Sequence, residues 1–170
     1  KRKNIVRLVQ AFAQLHQLYP NYKLALVGNT PVKKQLNDAP AIQTSITSLG
    51  LTDAVIQLGY LEADALATIY THAFAYVLPS LNEGFGLPVL EAFHFNLPLI
   101  AANTSALPEV AADAAIYFDP LNTNALADCM KRLIENPELP VDLIQKGQTR
   151  RKDFSWNKAA IEIHDLLTQI

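Results

Sequence analysis

A chain of 170 residues, half of them apolar, is enough for one domain with a real hydrophobic core, which excludes a disordered tail. Fourteen basic residues nearly cancel sixteen acidic ones, so there is no electrostatic footprint for wrapping nucleic acid or gripping an anionic membrane, and an acidic small-molecule ligand must find its cations locally. Cys129 is the only cysteine, which excludes an internal disulfide or a thiolate zinc site built from this chain and fits a reducing, cytoplasmic setting.

The chain opens on Lys1-Arg2-Lys3-Asn4, after which Ile5, Leu8, Val9, Phe12, Leu15 and Leu18 recur at helical spacing. This periodicity predicts an amphipathic helix over 5–19 rather than a signal-peptide core, and Pro20-Asn21 stops it. Leu24-Ala25-Leu26-Val27 before Gly28 predicts a strand, and a weaker helical pattern runs from Lys33 to Leu49, closed by Gly50. A strand over 55–58 ends at Gly59; a helix over 62–72, a strand over 74–78, a helix over 87–95 and a strand over 99–102 repeat the cycle. A short helix over 107–112, a strand over 116–118 and helices from Thr123, Pro140 and Ser155 complete it, with Trp156 expected to anchor the last helix in the core. No apolar run approaches the ~18 residues of a membrane-spanning helix.

Short buried strands separated by helices require crossover connections, so the expected fold is α/β, a Rossmann-like doubly wound parallel sheet. Ligands of such sheets sit beyond the carboxyl ends of the strands. There the sequence places Gly28, Gly59-Tyr60, Pro79 to Gly86, Asn103 to Glu109, and Asp119, so the unusual residues share one rim. An open sheet of this kind normally starts with a strand, whereas this chain opens on a helix; a first strand upstream is expected.

The most informative stretch is Pro79-Ser80-Leu81-Asn82-Glu83-Gly84-Phe85-Gly86-Leu87-Pro88-Val89-Leu90-Glu91-Ala92-Phe93. Two glycines between a strand end and a helix let backbone come close to a ligand, and Pro88 suits a first helical turn, where its missing N–H costs nothing. The free amides of that turn make an anion site suited to phosphate. Glu83 and Glu91 flank it. Carboxylates beside a phosphate would repel it, so they are expected to accept hydrogen bonds from hydroxyls, which implies a ligand carrying both hydroxyls and phosphates.

Glu83 and Glu91, with seven residues between them, resemble the E-x(7)-E signature of the group 1 glycosyltransferase family. The resemblance extends along the chain through Arg2-Lys3-Asn4, Leu26-Val27-Gly28, Leu58-Gly59-Tyr60-Leu61, Ala106-Leu107-Pro108-Glu109, Asp119-Pro120 and Phe154-Ser155-Trp156. It implies one half of a GT-B enzyme: residues 1–170 as a single C-terminal donor-binding domain, with its first strand and an N-terminal domain carrying the acceptor site supplied from elsewhere. Any membrane contact would come through that other domain. The implied activity is transfer of a hexosyl group from a nucleoside-diphosphate sugar to an acceptor hydroxyl, with retention. By the family pattern Glu91 would hold the ribose hydroxyls and Glu83 the donor sugar. Lys3 would neutralise the diphosphate, while backbone of Gly84, Phe85, Gly86, Leu87, Pro88 and Val89, together with Ser80, would line the sugar and phosphates. Tyr60 and Leu61 would border the base.

Three departures from the family pattern stand out: Asn96 and Ala112 occupy positions where the family usually has glycine, and the basic residue that follows the first strand is missing. Asparagine tolerates left-handed backbone; alanine does so less readily. Val89 stands where a dinucleotide fingerprint would need its third glycine, and there is no G-x(4)-G-K-[ST] loop. Glu91-x-x-His94 lacks the second copy that a di-iron site needs, and His94 is expected to pack. No Asp-x-Asp pair is present to hold a diphosphate-bound cation, so donor binding is expected to use no metal or other cofactor. A sugar-nucleotide epimerase of GT-B fold and a non-catalytic nucleotide-sugar-binding module remain as alternatives.

Overall fold

The computed structural model describes residues 2–28 and 38–168. Strands and helices alternate: α1 Ile5–Leu18, β1 Leu24–Val27, α2 Ala39–Ser48, β2 Val55–Gly59, α3 Ala63–His72, β3 Tyr76–Leu78, α4 Leu87–His94, β4 Leu99–Ala102, α5 Leu107–Ala111, β5 Ala115–Phe118, α6 Thr123–Glu135, α7 Glu138–Arg151 and α8 Trp156–Thr168. Every expected element is present. The largest shift is in α2, which starts at Ala39 with Pro40 in its first turn; the earlier part of the expected 33–49 helix, through position 37, lies outside the described residues.

All three strand pairs among the described residues are parallel, in two sheets. β1 pairs with β2, with a register shift between Leu26 and Val27, and β4 lies between β3 and β5. No hydrogen bond of a ladder joins β1 to β3 among the described residues. β4 is buried at all four positions, as a strand flanked on both edges and covered on both faces should be.

Six of the eight helices among the described residues pack in two groups, α1 with α2 and α6, and α4 with α5 and α7. Leu8, Ala11, Phe12 and Leu15 form the buried stripe of α1, and Val89, Ala92 and Phe93 that of α4. Against Phe93, α7 comes so close that a Cβ on Gly147 would lie 2.6 Å from the ring. Overpacking of this kind typically costs about 1–3 kcal/mol.

The last helix departs from expectation. Trp156 is 83% exposed and α8 buries no residue, so it is no core anchor. Phe154 takes that part, packed partly against the core, edge-on to Phe85 at 5.9 Å, with the Arg150 guanidinium 4.8 Å from its ring centroid. His94 is exposed; it packs edge-on to Phe95 at 5.0 Å and lies 2.7 Å from an Arg151 nitrogen. Asn96 has φ 56° and Ala112 φ 48°, so both family-glycine positions are left-handed. Asn96 fits that geometry, whereas Ala112 is strained. Among the described residues no helix is long and apolar enough to cross a membrane.

Candidate donor-binding site

The site grows from the carboxyl ends of β3, β4 and β5. After β3 the chain turns at Pro79 and Ser80 into an open loop that ends at Gly86, whose φ of 96° starts α4. That backbone favours glycine, and a Cβ there would also press on the Leu107 side chain at 3.0 Å. Pro88 sits in the first turn as expected. The amide of Val89 is taken by the Gly86 carbonyl at 2.8 Å and Pro88 has none, which leaves the amides of Gly84, Phe85, Gly86 and Leu87 without acceptors among the described residues. Unpaired amides at a helix start are the backbone's own anion site.

The segment before α1 is stitched onto this loop. Asn4, in a left-handed conformation, donates from Nδ2 to the Pro79 carbonyl at 3.1 Å and to that of Pro120 at 2.8 Å. Arg7 donates to the Asn4 side-chain oxygen and to the Pro120 carbonyl, and the Leu81 amide donates to the Arg2 carbonyl. Beyond β4, Ser105 Oγ accepts from the Glu83 amide at 3.0 Å. Three separated stretches of sequence thus meet around one side chain.

That side chain is Glu83. It is only 8% exposed, and its carboxylate receives Lys3 Nζ at 2.7 Å and Arg2 Nη1 at 3.1 Å. Burial by itself would raise its pKa, but the Lys3 ammonium, together with Arg2, outweighs burial and holds the carboxyl below its ordinary range. Glu83 is therefore ionised at neutral pH. Two cations around one carboxylate leave a net positive charge beside the free amides, and both Lys3 and Arg2 remain largely open to solvent. Ser80, expected to line the ligand, is instead fully buried, and its hydroxyl has no hydrogen-bond partner among the described residues.

Glu91, one turn into α4, is exposed rather than sunk in the core. Its Oε2 accepts a hydrogen bond from Tyr70 of α3 at 3.0 Å. On the β1–β2 side the Gly28 amide donates to the Gly59 carbonyl at 2.7 Å, followed by an exposed Tyr60 and a half-buried Leu61. Leu87 and Phe85 are about half exposed on the α4 side.

Residues 1–150 match the family model for glycosyl transferases group 1. The chain belongs to this family. It is 30% identical to an O-antigen chain mannosyltransferase B of Escherichia coli, a match covering 95% of this chain and 41% of the relative. The sucrose-phosphate synthase of Thermosynechococcus elongatus superposes with a TM-score of 0.86 at 30% identity, over 99% of this chain and 42% of that one. The Anabaena protein Alr3699/HepE, solved in complex with UDP, superposes with a TM-score of 0.85 at 23% identity, over 96% of this chain and 44% of that one. The chain spans well under half the length of these relatives. The fold is the Rossmann-like half that such glycosyltransferases contain.

The E-x(7)-E spacing led to Glu83 and Glu91, and Lys3 was legible beside them. Sequence reasoning missed Arg2 as a second cation, Ser105 under the Glu83 amide, and Tyr70. Ser105 lay within a stretch already placed on the rim, and its φ of 48° gave no sign in the sequence. Tyr70 carried no signal beyond its place in the helix expected over 62–72.

Proposed function

We propose that this chain is the C-terminal, donor-binding part of a longer retaining hexosyltransferase that uses a nucleoside-diphosphate sugar. The observation that carries the reading is the buried Glu83 carboxylate, clamped by Lys3 and Arg2 beside the acceptor-free amides of Gly84 to Leu87. Cations and amides suit a diphosphate; a fixed, ionised carboxylate suits sugar hydroxyls. Glu91, exposed on the same helix, suits the ribose, and Tyr60 with Leu61 suits the base. The UDP bound to the Anabaena neighbour and the mannosyltransferase among the relatives agree with that class of donor.

In the reaction, the bond from the anomeric carbon to the diphosphate oxygen breaks and the bonding pair leaves with the diphosphate. Lys3, Arg2 and the α4 amides stabilise the growing charge, a preorganised electrostatic device that needs no metal and no protein nucleophile. The acceptor hydroxyl forms the new bond on the face the diphosphate leaves, and its proton passes to the departing phosphate oxygen.

Two features support a larger enzyme. The ladder orders β2-β1 and β3-β4-β5 equal the common doubly wound order 3-2-1-4-5-6 with its strand 1 taken out, so an upstream strand would fit between β1 and β3. In addition, α8 leaves Trp156, Ile161, Ile163, Leu166 and Leu167 exposed, an apolar surface that an acceptor-binding domain would cover. The lone cysteine agrees with a cytoplasmic setting. A thermal-stabilisation screen of UDP-, GDP- and ADP-sugars against this chain tests the reading. Stabilisation by at least one sugar nucleotide is expected, and none by any of them would contradict it.

A further inference from the structure

Glu91 is an exposed carboxylate at a helix surface, where a glutamate ordinarily samples several rotamers and loses that freedom on binding a ligand. Here one of its oxygens is already held. Tyr70 is 7% exposed, with its ring stacked on Phe95 at 5.0 Å and 5° and tilted against Tyr76 at 5.5 Å, so the phenol has a fixed position in α3. Its hydroxyl meets Glu91 Oε2 at 3.0 Å. Glu91 Oε1 has no partner among the described residues. We propose that Tyr70 is a positioning residue for nucleotide binding: its buried hydroxyl fixes one oxygen of Glu91 and thereby presents the other to a ribose hydroxyl. This inference rests on the assignment of Glu91 to the ribose. Burial first, then Tyr76 and the Glu91 charge, push the Tyr70 phenol well above its ordinary pKa, so it stays a donor throughout the working pH range.

Preorganisation of this kind raises affinity by reducing what must be ordered on binding, and it acts only through the hydroxyls that Glu91 contacts. The test is calorimetric titration of the 170-residue chain and its Tyr70→Phe, Glu91→Gln and double variants. The probes are UDP and GDP, each also in its 2′,3′-dideoxy form. Tyr70→Phe keeps the ring stack. It is expected to weaken the nucleotide with an intact ribose by roughly three- to tenfold, leave the dideoxy form unchanged, and add nothing in the Glu91→Gln background. Equal weakening of both forms, or a loss that adds to that of Glu91→Gln, would overturn the inference and leave Tyr70 a packing residue. A different failure is separable without any Tyr70 variant: if Glu91→Gln binds like the parent, or the parent binds neither nucleotide, the ribose assignment itself falls, and this inference with it.

Discussion

Glu83 and Glu91 belong to one motif, eight positions apart, and the structure gives them opposite surroundings. Glu83 is buried in a loop, where two cations hold its carboxylate and the Ser105 side-chain hydroxyl, from a third segment, accepts from its amide. Glu91 is exposed on a regular helix, where one tyrosine holds one oxygen. The first carboxylate is part of how the fold closes; the second is an exposed group mounted on a finished element, assigned to the ligand in the proposed reading. Removing charge near each should therefore have unequal consequences, large for folding at Glu83 and confined to binding at Glu91.

The largest effect is expected from Lys3→Ala. It leaves a buried carboxylate with only the more exposed Arg2, and should cost about 1–3 kcal/mol of stability in denaturant unfolding. Glu91→Gln, removing charge at an open position, should stay within about 0.5 kcal/mol of the parent. Equal losses for the two variants would erase the contrast.

Acid sharpens the same contrast. The folded-state pKa of Glu83 lies below its unfolded value, so its contribution to stability is present above the ordinary glutamate range and lost as pH falls through the folded value. The acid limb of a stability–pH profile should accordingly be shallower in Glu83→Gln than in the parent. An unchanged limb would mean that the ion pairs with Lys3 and Arg2 contribute nothing to folding.

The smallest effect provides a control that touches neither carboxylate. Ala112 holds φ 48° and ψ −124°, so Ala112→Gly should relieve strain and raise the melting temperature, by an equivalent of about 1 kcal/mol. Nucleotide affinity should not change. A change in affinity would show that stability and binding are coupled through the whole domain, and the comparison of the two glutamates would lose its meaning.

Much of this arrangement was legible beforehand, for identifiable reasons. Alternating apolar periods marked each element, and glycines at strand ends marked the rim, because both signals are local. Asn96 and Ala112 could be named as left-handed positions from the family's glycines, and the structure places both there. Trp156 was misread because a large aromatic at the start of a helix is a core residue only if something covers it, and among the described residues nothing does. The partners of the two glutamates were out of reach for a related reason. Arg2 lies 81 positions from Glu83 and Tyr70 lies 21 from Glu91, so only tertiary packing brings them together.

The most direct test of the central claim, that the two carboxylates bind different parts of one nucleotide sugar, is calorimetric titration of Glu83→Gln and Glu91→Gln. Each is titrated with UDP and UDP-glucose, and with GDP and GDP-mannose, after circular dichroism shows both variants folded. Glu91→Gln should weaken the free diphosphate and its sugar conjugate alike, by about 1–3 kcal/mol for a lost charge-assisted bond. Glu83→Gln should leave the free diphosphate bound as before or slightly tighter and weaken only the sugar conjugate. Equal losses on both ligands for Glu83→Gln would contradict the account and leave Glu83 with its structural role in the loop alone.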